Sequence, residues 1–155
     1  MMKKYYLAYG SNLNLKDMKK RCPKAKPIGK ILLNGYRLVY KGSADGYAYL
    51  TIEEDEYSSI PLGIFEISLF DIKSLDIYEG YPELYSKCYI PVKIDDKIKK
   101  ALIYVMNDEF DYHIPSEEYI NNCLSGYNDF GFDKEILNKA LIDTKQKLPS
   151  VKIKK

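Results

Sequence analysis

A chain of 155 residues with 46% hydrophobic content is long enough for one folded core and too apolar for a disordered chain. Its 24 basic and 22 acidic side chains leave a net charge of +2, which gives no electrostatic footprint for nucleic acid. No segment is long and apolar enough for a membrane span, and Met1-Met2-Lys3-Lys4 leads into a strand rather than a signal-peptide core, so a cytoplasmic protein is expected.

Lys4–Tyr9 reads as a strand, and Gly10-Ser11-Asn12 stops it. Asn14 then stands as an N-cap with Asp17 three residues on. Leu15, Met18 and Cys22 follow at helical spacing before Pro23. Ile28–Lys41 is β-rich with a break at Asn34-Gly35. Tyr47–Ile52 and Ile60–Ile67 read as two further strands, separated by the acidic loop Glu53–Glu56. Ser68-Leu69-Phe70-Asp71 opens a helix whose apolar face is Leu69, Ile72, Leu75 and Tyr78, and Gly80 ends it. Cys88–Ile94 and Lys100–Met106 form a pair of strands joined by a tight turn at Asp95-Asp96-Lys97. Pro115-Ser116-Glu117-Glu118 starts a helix running to about Tyr127. Asp133 caps a last helix with Ile136, Leu137, Ala140 and Leu141 as its buried stripe.

Strands fill the first two thirds and helices the end. The expected fold is α+β, a small mixed and mainly antiparallel barrel-like sheet with flanking helices, forming a single domain over residues 1–155. The pattern lacks the βαβ alternation of a Rossmann fold. Cys22, Cys88 and Cys123 are far apart, odd in number and free of any C-x-x-C pair, so neither a metal site nor a disulfide framework is expected. Cys88 and Cys123 read as core residues of a strand and a helix. The basic tail Lys152-Ile153-Lys154-Lys155 reads as a solvated end.

Two stretches carry chemistry. Tyr9-Gly10-Ser11-Asn12 lies between a strand end and a helix start, where free amides and the positive helix pole favour an anion. A carboxylate or a developing oxyanion would suit it, and so would the plain role of a strand-to-helix turn. A single glycine and no Gly-Lys-Ser/Thr exclude a P-loop. In Leu75-Asp76-Ile77-Tyr78-Glu79-Gly80, Glu79 falls at a helix C-terminus, where the macrodipole disfavours its charge by roughly 0.3–1 kcal/mol. Such an acid has a raised proton affinity and suits a general base, or it is an exposed glutamate tolerating a small cost.

Together the two stretches resemble the γ-glutamylcyclotransferases and their AIG2-like relatives. The matching pieces are YLAYGSNLN at 6–14, MKKRCP at 18–23, GYRLVYKG at 35–42, AYLTI at 48–52, PLGIFEIS at 61–68, LDIYEGYPELY at 75–85 and PSEEYINNCLSGY at 115–127. The resemblance implies a cytosolic enzyme without metal or organic cofactor. It implies cyclisation of a γ-glutamyl group to 5-oxoproline with release of the attached amine or amino acid. It places the base at Glu79 and the substrate cavity at Tyr9, Gly10, Ser11, Asn12, Tyr85 and Tyr119. The partner is then a small γ-glutamyl molecule, not nucleic acid or membrane; the leaving group and the oligomeric state stay open.

Two other readings compete. A serine or cysteine hydrolase needs a base beside its nucleophile, and the single histidine, His113, sits in a loop-like stretch away from Ser11 and Cys22. A non-catalytic AIG2-like module would bind a small anion in the same pocket; an acid at Glu79 argues against it.

Overall fold

The computed structural model describes residues 3–149; the basic tail at 152–155 lies outside them. Six strands and four helices follow one another. β1 is Lys4–Ala8, α1 Leu15–Arg21, β2 Lys26–Gly42, β3 Ala48–Ile67, α2 Leu69–Glu79, β4 Tyr85–Ile94, β5 Lys97–Met106, β6 Asp111–Tyr112, α3 Glu117–Phe130 and α4 Glu135–Lys147. They form one mixed sheet in the order β4-β5-β1-β3-β2-β6. Every pairing is antiparallel except β1 with β5, which lie parallel at Tyr6 and Leu102. The sheet is mainly antiparallel as expected, but it does not close: β4 and β6 are its edges.

The long arm of this sheet departs from the sequence reading. Of the residues expected as an acidic loop, Glu53–Glu56, Glu53 and Glu54 continue the ladder of β3, opposite Arg37 and Tyr36, while Asp55–Ser58 bulge without cross-strand partners and Asp55 accepts from the Tyr57 amide and the Ser58 hydroxyl. Cross-strand pairing overrides the low β-propensity of Glu53 and Glu54. Arg37 lies opposite Glu53, and its Nε donates to Glu53 Oε1 at 2.8 Å. The Tyr112 hydroxyl donates to the other carboxylate oxygen at 2.7 Å, and Lys41 Nζ lies 3.6 Å from it. The expected break at Asn34-Gly35 is a register shift between Asn34 and Tyr36 within a continuous β2.

The helices are capped largely as their sequences suggest. Asn14 accepts from the Asp17 amide, Ser68 and Asp71 form a reciprocal capping box, and Ser116 accepts from the Tyr119 amide. Asp133 accepts from the Glu135 amide at the start of α4. The expected apolar face of α2 is narrower: Leu75 is buried, while Leu69 is 67% exposed and Tyr78 40%. Asp71 is buried as well, and its carboxylate closes the capping box. On α4, Leu137 and Ala140 are buried as read, and Thr144 joins them, accepting from the Tyr40 amide of β2 at 2.8 Å. Cys123 is buried, but Cys88 is exposed, because β4 is an edge strand and turns that side chain outward.

The core is one cluster running from β1 and β3 across β5 to α3 and α4. The segment that matters most for the site is Gly10–Asn14, which leaves the end of β1 as a short 3-10 turn over Ser11–Leu13. Helix α3 presses directly on it. A side-chain carbon on Gly126 would lie 2.6 Å from the main chain at Leu13 and Asn14, so only glycine permits this approach. From the same helix, Asp129 accepts from the Leu15 amide at 3.0 Å.

Candidate active site

The turn after β1 and the end of α2 meet in one cavity of about 290 Å³. Although 67 positions apart in the chain, Asn12 and Glu79 touch: Asn12 Nδ2 donates to Glu79 Oε1 at 3.2 Å. The same nitrogen donates to the Tyr6 hydroxyl at 2.9 Å. Ser11 Oγ and the Tyr78 hydroxyl share a hydrogen bond of 2.7 Å. Two pairs of consecutive residues, Ser11-Asn12 and Tyr78-Glu79, are thus stitched across the cavity floor.

All seven residues singled out from the sequence line this cavity: Tyr9, Gly10, Ser11, Asn12, Glu79, Tyr85 and Tyr119. Their local roles differ from simple expectation. Gly10 does not use positive φ; its φ is −126°. Its need is space, since a Cβ there would meet the Tyr119 hydroxyl at 3.1 Å. The tyrosine hydroxyls are largely occupied by main chain. Tyr9 donates to the Tyr104 carbonyl at 2.6 Å, and Tyr85 donates to the Leu50 carbonyl at 2.7 Å. Tyr119 accepts from the Leu50 amide at 3.0 Å, which leaves its own O–H free to donate. Tyr85 and Tyr119 therefore grip both sides of one peptide residue and hold β3 in place as a wall.

Burial pushes the Glu79 carboxyl up to about 7, and only the positive charge of Arg21 opposes it. Removal from water is thus the main cause, rather than the helix pole that the sequence suggested. Burial also holds the hydroxyls of Tyr6, Tyr9, Tyr85, Tyr104 and Tyr119 protonated far above neutrality, and the nearby Glu79 charge reinforces this. Asn12 Oδ1 is buried and has no hydrogen-bond partner among the described residues. An orphaned acceptor of this kind costs about 1–3 kcal/mol unless something donates to it.

With this geometry in view, the comparisons with known proteins are direct. The sequence profile described as Gamma-glutamyl cyclotransferase, AIG2-like matches residues 6–121. The chain belongs to this family. No curated protein matches the sequence. Among solved structures, one described as Gamma-glutamyl cyclotransferase superposes with a TM-score of 0.76 at 21% identity, covering 99% of this chain and 93% of that one. The uncharacterized protein loc79017 from Homo sapiens gives 0.77 at 21%, covering 100% and 94%. YkqA from Bacillus subtilis gives 0.72 at 18%, covering 90% of this chain and 53% of its own. At these identities the likeness is one of fold.

Within this γ-glutamyl cyclotransferase-like fold, sequence reasoning overlooked Tyr6, Tyr49, Tyr78 and Tyr104, which also line the cavity. Tyr78 was within reach, being the immediate neighbour of Glu79. Tyr104 was not: its place depends on the β1–β5 parallel pairing, which no local pattern announces. A hydrolase arrangement is not assembled. His113 Nδ1 sits 3.1 Å from Asp45, and Ser11 is bonded to Tyr78 instead of a base. Among the described residues no cluster of His, Cys, Asp or Glu could hold a metal, and no helix is long and apolar enough to cross a membrane.

Proposed function

We propose that this protein converts a γ-glutamyl amine or γ-glutamyl amino acid to 5-oxoproline and the free amine or amino acid, with Glu79 as general acid and base. The observation that carries this reading is the enclosed carboxyl of Glu79, held near neutrality, in the same cavity as the Gly-Ser-Asn turn.

The chemistry asks little else of the protein. The substrate brings its own nucleophile, since its α-amine reaches its γ-carbonyl carbon and closes a five-membered ring. A new C–N bond forms, the old amide C–N bond breaks, and one proton travels from the attacking nitrogen to the leaving nitrogen. A free α-amine titrates at about 8, so near neutrality it arrives mostly as ammonium and must lose a proton first. A carboxylate whose own affinity lies near 7 takes that proton and later returns it to the leaving group. The unpartnered Asn12 Oδ1 beside Glu79 fits an N–H donor of the same ammonium group. The leading amides of the 3-10 turn have no carbonyl within the turn and suit an anionic substrate oxygen. The tyrosine wall folds the chain into attack geometry; well-held intramolecular reactions reach effective molarities of roughly 10⁵–10⁸ M. Three free thiols suit a reducing cytoplasmic setting.

The direct test is incubation with γ-glutamyl-alanine and with a γ-glutamyl alkylamine, followed by assay of 5-oxoproline. Release from either one, growing with pH on the acid side up to about 7, is the expected result. Saturable binding without product would replace the enzyme by an AIG2-like binding module.

A further inference from the structure

Arg21 lies outside the cavity lining but stacks on Tyr78, one of the residues that form it. It closes α1, and its guanidinium carbon stands 3.5 Å from the centroid of the Tyr78 ring, a contact distance for flat stacking. Tyr78 carries the hydroxyl that bonds Ser11 at 2.7 Å, and Glu79 is the next residue. Among the described residues Arg21 makes no ion pair, and its buried Nη1 has no hydrogen-bond partner. An arginine that only stabilised the fold would be expected to spend its donors on a carboxylate or on carbonyls. This one is held over the ring of Tyr78, the residue next to the acid, and its charge favours the ionised form of that acid.

We propose that Arg21 is a positioning residue for Glu79: its stacked guanidinium clamps Tyr78 against Ser11 and supplies the positive charge that keeps the buried carboxylate available as a base.

The rest of the surroundings work the other way. The groups facing Glu79 are Tyr6 of β1, Tyr9 just after it, Tyr78 beside it on α2, Tyr85 of β4, Tyr104 of β5 and Tyr119 of α3. All are neutral near physiological pH and none can balance a negative charge by Coulomb attraction. Without Arg21, burial alone would hold the carboxyl protonated further into the alkaline range. The base would then be present in a smaller fraction of molecules at neutrality. The stack has a second consequence. Arginine lies flat on a ring because its planar cation is weakly hydrated, whereas a lysine ammonium keeps its water and withdraws. The family-like run MKKRCP thus ends α1 with the one cationic side chain able to do both tasks.

This role in turnover rests on the cyclisation reading, but its electrostatic part is measurable without substrate. The ionisation of Glu79 is followed by ¹³C NMR of carboxyl-labelled protein, with the resonance assigned by its loss in Glu79→Gln. Arg21→Gln should move the Glu79 midpoint upward and reduce 5-oxoproline release at pH 6 by about tenfold, the acid limb of the rate profile moving with the midpoint. Arg21→Lys should give a smaller shift in the same direction, about threefold in rate at that pH, with a raised KM from the loosened Tyr78. If Arg21→Gln does not fold, Arg21→Lys carries the test alone. Unchanged Glu79 midpoints in the folded variants would overturn the proposal. A wild-type protein that titrates as described but yields no 5-oxoproline sinks the cyclisation reading and leaves the Arg21–Glu79 coupling standing. Turnover with a midpoint indifferent to Arg21 sinks the coupling alone.

Discussion

Glu79 and Glu53 carry the same side chain into opposite surroundings. Glu53 sits on the β2–β3 arm, opposite Arg37, with Lys41 and the Tyr112 hydroxyl on its second oxygen. These donors and charges outweigh its partial burial and hold its carboxyl below the ordinary glutamate range. Glu79 faces tyrosine rings and one asparagine amide, its one opposing cation is Arg21 stacked on the neighbouring Tyr78, and burial lifts it to about 7. One acid is saturated with partners and charged at neutral pH. The other is left a proton away from neutrality. The difference separates an acid that ties strands together from an acid that can do chemistry, and it arises from neighbours supplied by distant parts of the chain.

Replacing Glu79 by Gln breaks the comparison most severely. Release of 5-oxoproline should fall by about 10²–10⁴, the usual weight of a positioned acid–base group. Stability should respond in the opposite sense. Because the folded-state affinity of Glu79 is raised, its favourable contribution is complete below the unfolded value near 4.5. That contribution is lost as pH climbs through about 7. Glutamine resembles the protonated acid at every pH. Denaturant unfolding should therefore find the variant close to wild type at pH 5 and more stable at pH 8, by up to about 3 kcal/mol. A variant that still turned substrate over at wild-type rate would demand another base.

Glu53→Gln is the mirror experiment. Its lowered affinity means that its contribution is present above the ordinary glutamate range and disappears as pH falls through its folded-state value. The variant should lose roughly 1–3 kcal/mol at pH 7, since Arg37 and Lys41 are left without their shared, partly buried partner. The deficit should shrink as the buffer is acidified, and activity per folded molecule should stay within about twofold, because Glu53 does not line the site cavity. Equal stability of variant and wild type at pH 7 would show that the network on this arm is decoration.

These contrasts also mark what could be read from the chain in advance. Caps were legible because they are local: Ser68 and Asp71, Ser116 and Asn14 each act within one helical turn. The seven cavity residues were legible because they fall within motifs carried by a whole family, not because spacing revealed the cavity. The arm was misread for a physical reason. Glu53-Glu54-Asp55-Glu56 has the composition of a loop, yet the cross-strand cations of β2 and the hydroxyl of β6 hold Glu53 in the strand, and the irregular part begins only at Asp55. Tyr104 was hidden by the β1–β5 pairing, and the exposure of Cys88 by the edge position of β4. Local chemistry could be seen, whereas partners brought by long-range pairing could not.

The smallest effect tests whether the tyrosine wall is framework or reagent. Tyr85 spends its hydroxyl proton on the Leu50 carbonyl at 2.7 Å, and Tyr119 receives the Leu50 amide at 3.0 Å. Tyr85 therefore has no proton left for substrate unless β3 lets go, while Tyr119 keeps one. In Tyr85→Phe the ring still fills its place, and one buried carbonyl loses a donor, a cost of about 1 kcal/mol in unfolding free energy. Turnover should change less than threefold, with KM bearing most of the change as the Leu50 segment loosens. Tyr119→Phe removes both the acceptor for the Leu50 amide and an O–H that this contact leaves unspent, so it should cost as much stability and more activity. A Tyr85→Phe variant slowed as deeply as the Glu79→Gln one would reverse the assignment. The wall would then donate in the transition state, and its hydrogen bond to Leu50 would be a resting arrangement that substrate displaces.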